Sequence, residues 1–255
     1  MNKKDLPIGF LDSGVSVLRE AIKIMPNENY IYFGDSKNAP YGVKPTKEIR
    51  DLTFNVVDFL IEKGIKGLVV ACNTATSAAV SELRRVYPDI PLVGIEPAIK
   101  PAVELNRSGK ILIMATPMTI KQEKFNLLLN KYKEKAEIVP IPCAGLMEFI
   151  EDGILSGEEL EEYLEEKLSI YDKSEISSIV LGCTHYPFVK DVIAKIVGSN
   201  VIIMDGGEGT AREIKRRLRE KNLLTDRIKK GNVDIYNSLD EKKVIDLSWK
   251  LIQQP

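Results

Sequence analysis

Nine short apolar runs, "PIGFLD", "NYIYFGD", "KGLVVA", "PLVGI", "KILIMA", "EIVPI", "SSIVLG", "NVIIMD" and "VDIYN", punctuate this chain, and stretches of helical length lie between most of them. The runs show little polar alternation, as expected of strands buried on both faces in a parallel sheet that helices cover. The intervening segments carry the helical period. In "TKEIRDLTFNVVDFLIEKG", Ile49, Leu52, Val56 and Phe59 recur on one face, and Gly64 stands where a helix would end. In the acidic run "SGEELEEYLEEKLSIYD", Leu160, Leu164 and Leu168 mark the buried side of a helix whose other face is solvated. The pattern predicts an α/β fold with mainly parallel sheets flanked by helices. Such sheets bind ligands beyond the carboxyl ends of their strands, so chemistry is sought in the residues that follow each run.

That search exposes an internal echo. "GLVVACNTATS" and "SIVLGCTHYPF" are each an apolar strand, a small residue, a cysteine and two polar residues opening a helix. A second echo pairs "PIGFLDSG", ending in Asp12 and Ser13, with "KILIMATP", ending in Thr116. Cys72 follows Asp12 by sixty positions (12 to 72), and Cys183 follows Thr116 by sixty-seven (116 to 183). Two pseudo-symmetric α/β domains are therefore expected: residues 1–94 with 205–255, and residues 95–204, with an active site in the cleft between them.

Paired cysteines at equivalent strand ends place two thiols at one site. A helix N-terminus or a cationic neighbour lowers a thiol pKa, after which the thiolate takes a proton or attacks an electrophile. Two matched acid/base groups flanking one carbon are what inversion at a stereocentre requires, with Asn73, Thr74, Thr184, Ser13 and nearby amides as donors to a carbanion. His185, the only histidine of the chain, stands beside Cys183 as a group that accepts or relays the thiol proton. Asp12 reads either as a helix cap or as a thiol activator or ammonium binder. Cys143, in "IPCAGLMEFI", has no echo and no polar partner and reads as a core residue. Gly206, Gly207 and Gly209 do not fit GxGxxG, so "VIIMDGGEGTAREI" reads as a tight strand-to-helix turn.

Other classes are disfavoured. Scattered charges, 36 basic against 37 acidic, leave no electrostatic footprint for nucleic acid or an anionic membrane. No apolar leader follows the N-terminal lysines and no run of membrane-spanning length occurs, which predicts a cytoplasmic protein. Three separated cysteines without CxxC spacing fit free thiols in a reducing compartment, and a single histidine excludes a His-rich metal centre. A cysteine-dependent lyase or hydrolase remains an alternative, as does a non-catalytic protein that binds an amino acid.

Taken together, "IGFLDSG", "YIYFGDSKNAPYG", "VVACNTAT", "LVGIEPAIKPA", "LMEFIEDG" and "IVLGCTHYPF" resemble the cofactor-independent aspartate/glutamate racemase superfamily along nearly the whole chain. The resemblance implies interconversion of L- and D-glutamate to feed peptidoglycan synthesis, with aspartate as the sister specificity, no pyridoxal phosphate and no metal. Glutamate is then the partner, and a homodimer is an assembly open to it. It assigns the two catalytic thiols to Cys72 and Cys183, the acid near the first to Asp12, and the supporting pair near the second to His185 and Glu151. Asp12, Ser13, Tyr41, Gly42, Asn73, Thr74, Thr116, Thr184 and His185 fall on the substrate-binding positions. One stretch departs: where the family runs Asp-Ser-Gly-x-Gly-Gly, this chain has "DSGVSVLRE", three residues fewer, which predicts a shift at Asp12 and Ser13.

Overall fold

All nine apolar runs form strands in the computed structural model, which describes residues 2–254. The order along the chain is β1 (Ile8–Asp12), α1 (Ser16–Ile24), β2 (Tyr30–Gly34), α2 (Thr46–Glu62), β3 (Gly67–Val70), α3 (Asn73–Val86) and β4 (Leu92–Gly94). It continues through α4 (Ile99–Glu104), β5 (Lys110–Ala115), α5 (Pro117–Lys121), α6 (Glu123–Tyr132), β6 (Ile138–Pro142), α7 (Leu146–Glu151), α8 (Glu158–Leu168), β7 (Ile176–Leu181), α9 (Lys190–Val197) and β8 (Ile202–Asp205). The last elements are α10 (Gly207–Glu220), β9 (Val233–Asn237) and α11 (Lys242–Ile252). The chain divides into two compact units, Met1–Glu96 with Gly207–Pro255, and Pro97–Gly206.

Every strand pairing is parallel. The first unit holds a five-stranded sheet of order β4-β3-β1-β2-β9, and the second a four-stranded sheet of order β6-β5-β7-β8. Read from its other edge the second sheet runs β8-β7-β5-β6, so β1 corresponds to β5 and β3 to β7, with β9 the one addition. The sequence echo is thus an echo of topology.

The core of each unit follows from its pattern. On α2, Ile49, Val56, Val57 and Leu60 are buried against Leu11, Leu68 and Val70 of the sheet, with Leu52 and Phe59 half-buried at the margin. Gly64 closes that helix with φ +77°, a left-handed conformation that favours glycine, and its N–H reaches the Ile61 carbonyl at 2.8 Å. In the second unit Ile111, Ile113, Ala115 and Val180 pack with Ile99, Ala102 and Phe125. Leu160, Leu164 and Leu168 are the buried side of α8, as their spacing predicts. Full burial on both faces explains why β1, β3 and β7 lack polar alternation.

At the amino-terminal end of the first sheet, a buried ion pair joins Lys66 to Glu28. Glu28 also accepts the Thr225 N–H at 2.8 Å, which ties the segment leading to β9 onto the sheet. Gly231, in that segment, approaches so closely that a Cβ there would lie 1.8 Å from the Glu28 carbonyl oxygen.

Candidate active site

Within each unit, the cysteines singled out from sequence follow the carboxyl ends of central strands. In the first unit β1 ends in Asp12, and the Ala71 N–H donates to the Leu11 carbonyl at 2.8 Å, which fixes Cys72 just beyond the end of β3. Cys72 is the N-cap of α3, with extended backbone (φ −82°, ψ 123°), so the fourteen-residue helix opens directly from the thiol. Asn73, Thr74 and Thr76 form its first turn. The Thr76 hydroxyl donates to the Val70 carbonyl at 2.9 Å, and the Thr76 N–H donates to the Cys72 carbonyl at 2.9 Å. A helix N-terminus favours the thiolate over the thiol. Cys72 is half-buried, open enough for a ligand and close enough to the helix for its dipole to act.

Asp12 is buried, and its Oδ1 accepts the Ser13 N–H at 2.8 Å. Despite the short turn after it, β1 retains Asp12 in the ladder, opposite Gly34 of β2. After the turn α1 opens at Ser16 with Val15 at its N-cap and no side-chain cap hydrogen bond. Tyr41 and Gly42 lie on a 3₁₀ turn, Tyr41–Val43, that follows β2. The Tyr41 hydroxyl donates to Asp35 Oδ2 at 2.5 Å. Burial first, then that hydrogen bond and the negative charges of Asp35 and Cys72, raise the phenol pKa, so Tyr41 stays protonated.

In the second unit the Gly182 N–H donates to the Met114 carbonyl at 2.7 Å, repeating the bond made by Ala71, and Cys183 follows. His185 is buried, with Nδ1 3.6 Å from Cys183 Sγ and Nε2 3.3 Å from Glu151 Oε1. Burial opposes the imidazolium, but the hydrogen bonds and charges of Cys183 and Glu151 outweigh it and raise the pKa to about 10. His185 is therefore a cation at neutral pH, held between a thiol and a carboxylate. Glu151, at the end of α7, keeps 42% of its side chain exposed and completes the chain of contacts from solvent to thiol. Thr116 caps α5, accepting the Thr119 N–H at 3.2 Å, and Thr184 is buried next to Cys183.

Cys143 lies apart from this chemistry. It is 1% exposed, its Sγ donates to the Ile141 carbonyl at 3.5 Å, and burial pushes its pKa up to about 12. Among the described residues no three His, Cys, Asp or Glu side chains come together to hold a metal ion, and no helix is long and apolar enough to cross a membrane.

A family model for Asp/Glu/hydantoin racemases matches residues 11–214. This chain belongs to that racemase family. A glutamate racemase of Clostridium perfringens is 60% identical over 253 residues, spanning 98% of this chain and 97% of that one. A glutamate racemase of Clostridium botulinum is 59% identical over 256 residues, 99% of each chain. The crystal structure of glutamate racemase from Francisella tularensis in complex with D-glutamate matches with a TM-score of 0.82 at 30% identity, covering 98% of this chain and 95% of that one. The two parallel sheets flanked by helices are thus the fold of racemase-family structures.

Three residues that hold the segments carrying these candidates give little signal in the sequence. Asp35, directly after β2, is buried and also accepts from Asn38 Nδ2 at 2.9 Å, so it organises the loop that carries Tyr41. It follows an apolar run, and the strand-end search applied to "YFGD" would have found it. Tyr186 is fully buried and donates to the Cys143 carbonyl at 3.1 Å, which anchors the turn after Cys183. Thr76 was passed over because a threonine inside an amphipathic helix carries no distinctive spacing.

Proposed function

We propose that this protein interconverts L- and D-glutamate without a cofactor, using the thiols of Cys72 and Cys183 as acid and base on opposite faces of the α-carbon. One thiolate removes the α-proton, and the opposite thiol delivers a proton to the other face of the resulting carbanion. In the reverse direction the two exchange roles. The observation that carries this reading is the equivalence of the two thiols: each follows the strand next to the same strand of a sheet of the same order, behind the same backbone hydrogen bond. The names of the relatives, glutamate racemases at 59–60% identity over nearly the whole chain, supply the substrate.

In this mechanism Asp12 serves the first thiol, and the His185–Glu151 pair serves the second. Ser13, Tyr41, Gly42, Asn73, Thr74, Thr116, Thr184 and His185 bind the substrate's ammonium and carboxylate groups. Hydroxyl and amide donors suit a carboxylate, and Asp12 suits the ammonium. The product D-glutamate feeds peptidoglycan synthesis in the cytoplasm, a compartment whose reducing conditions suit three free thiols.

The test is incubation of D-glutamate in D₂O with purified protein, following optical rotation and the α-proton signal together, with aspartate run in parallel. Rotation should decay to zero as deuterium replaces the α-proton of glutamate. An unchanged rotation and an intact α-proton signal after hours at high enzyme concentration would overturn the proposal, and faster turnover of aspartate would reassign the substrate.

A further inference from the structure

We infer that Thr76 is a positioning residue for Cys72, setting the orientation and acidity of that thiol from one helical turn away. The inference rests on the reading of Cys72 as a proton-transfer thiol given above. Between the last ladder residue of β3, Val70, and the first residue of α3, Asn73, stand only Ala71 and Cys72. Their backbone is held at both ends: Ala71 N–H on the Leu11 carbonyl, and Cys72 carbonyl under the Thr76 N–H. Those two bonds belong to the sheet and the helix separately. The Thr76 hydroxyl is a side-chain link between the two, because its 2.9 Å bond to the Val70 carbonyl ties the first turn of α3 to the end of the strand. The same carbonyl accepts the Ile95 N–H at 2.9 Å, so the third strand of the group enters the same junction.

Threonine is the residue type this junction demands. Its hydroxyl reaches back to a carbonyl while its methyl remains free to pack. That methyl faces Gly94, the last residue of β4: a Cβ at position 94 would lie 2.6 Å from Thr76 Cγ2 and 3.0 Å from its Oγ1. Gly94 thus leaves the space in which the Thr76 side chain turns toward Val70. Thr76 itself is buried and has no part in contacting a ligand through its hydroxyl, which is committed to the strand. The direction of the helix as it leaves Cys72 decides how squarely the helix dipole meets the thiol, and a misplacement of about 1 Å at a reacting group costs on the order of a hundredfold in rate.

The experiment compares wild-type protein with Thr76→Val, which keeps the shape and removes the donor, and with Thr76→Ser, which keeps the donor. Racemisation kinetics are measured in both directions, together with the pH profile of iodoacetamide alkylation at Cys72, read by peptide mass, and thermal melting. Thr76→Val should lower kcat about 10- to 100-fold with KM changed less than about threefold, and should shift the Cys72 alkylation profile to higher pH while leaving that of Cys183 in place. Thr76→Ser should restore kcat to within about threefold of wild type, as rescue by a retained hydroxyl requires. A lowered melting temperature with an unmoved Cys72 profile would mean that Thr76 only stabilises the fold, and the inference would be wrong. Should Thr76→Val fail to fold, Gly94→Ala reaches the same side chain from β4, and a folded Gly94→Ala protein with wild-type kcat and an unmoved Cys72 profile would equally overturn it. Cys72→Ser separates the two levels: full racemisation by that variant sinks the role of Cys72 itself, whereas an inactive Cys72→Ser beside a fully active Thr76→Val sinks only the role of Thr76.

Discussion

In the first unit the chain leaves β3 through Ala71 and Cys72 straight into a fourteen-residue helix, whereas in the second it leaves β7 through Gly182 and Cys183 into a 3₁₀ turn, Tyr186–Val189, before α9 begins. Cys72 therefore sits at the N-terminus of a long helix, where aligned peptide dipoles amount to about half a positive charge. A single 3₁₀ turn supplies far less, and at Cys183 the positive charge comes instead from the His185 imidazolium 3.6 Å away. The bracing differs in the same way. Thr76 ties the first turn to its strand through a hydroxyl; the equivalent position in the second unit is Pro187, and there Tyr186 anchors the turn through the Cys143 carbonyl. The acids differ too, since Ala115 occupies in β5 the place that Asp12 occupies in β1. One topology thus presents two thiols in different surroundings, a long helix N-terminus with a buried aspartate on the adjacent strand on one side and a charged histidine backed by a more distant carboxylate on the other. Under the proposed mechanism the two thiols act on opposite faces of one carbon and need not be tuned alike, although the overall kcat/KM of the two directions must remain equal because enantiomers have equal free energy.

The largest effects should come from removing either thiol. Cys72→Ser and Cys183→Ser should each lower racemisation by at least about a thousandfold, within the range a single proton-transfer group supplies. Each variant should retain α-proton exchange, followed by NMR in D₂O, on one enantiomer only, and the two variants on opposite ones. Equal exchange of both enantiomers by either variant would erase the division of labour between the units.

Smaller effects should separate the two supporting acids. Asp12→Asn should lower kcat about a hundredfold if Asp12 serves the first thiol as proposed, since Asp12 is buried at the end of β1, the strand paired with the one that leads to Cys72. Glu151→Gln should cost nearer tenfold, because Glu151 is half-exposed and its contact is with His185 rather than with the thiol. Steady-state kinetics from each enantiomer decide the matter: a Glu151→Gln variant as damaged as Asp12→Asn would mean that the two acids are equivalent after all. His185 adds a pH signature. Its pKa rises on folding from 6.5 to about 10, so the stability it contributes is fully present below about pH 6.5 and is lost as pH rises toward 10. The difference in urea midpoint between wild type and His185→Asn should therefore be constant below about pH 6 and shrink between about pH 7 and 10. A difference that grows with pH would mean that the histidine is buried neutral.

How far the sequence carried this comparison follows from range. The central strands were legible because burial on both faces leaves their runs mostly apolar, and the paired thiols because strand, small residue and cysteine form a local pattern read twice. Leu160, Leu164 and Leu168 announced α8 by spacing alone. The hydroxyl brace of Thr76 was not legible: it depends on a glycine eighteen positions on (76 to 94), which only strand pairing brings into contact. Nor was the contact of Glu151 with His185 legible without the family resemblance, since α7 follows β6 by a short loop and that contact depends on β6, β5 and β7 lying side by side. The pairing of Tyr186 with the Cys143 carbonyl crosses the same sheet.

Cys143 gives the comparison its control, because it is a third thiol following a strand, on β6, with neither a dipole nor a histidine behind it. Its N–H donates to the Ala115 carbonyl at 2.9 Å, one residue later than the bonds that Ala71 and Gly182 make ahead of Cys72 and Cys183, so all three thiols leave a strand end held by a neighbouring strand. What differs is its surroundings: the left-handed Gly145 precedes α7, the side chain is enclosed, and burial overrides the pull of Lys167 to leave the thiol near pKa 12. At pH 8 iodoacetamide should accordingly modify Cys72 and Cys183 while sparing Cys143 in the folded protein. Cys143→Ala should leave kcat within about twofold, because Tyr186 bonds to the backbone carbonyl that alanine retains, and should lower stability by about 1 kcal/mol through the lost sulfur contacts. Urea denaturation and racemisation rate together check this. A large loss of rate at unchanged stability would make the enclosed thiol part of the reaction, and would show that a strand end alone, without dipole or imidazolium, is enough to activate a cysteine in this fold.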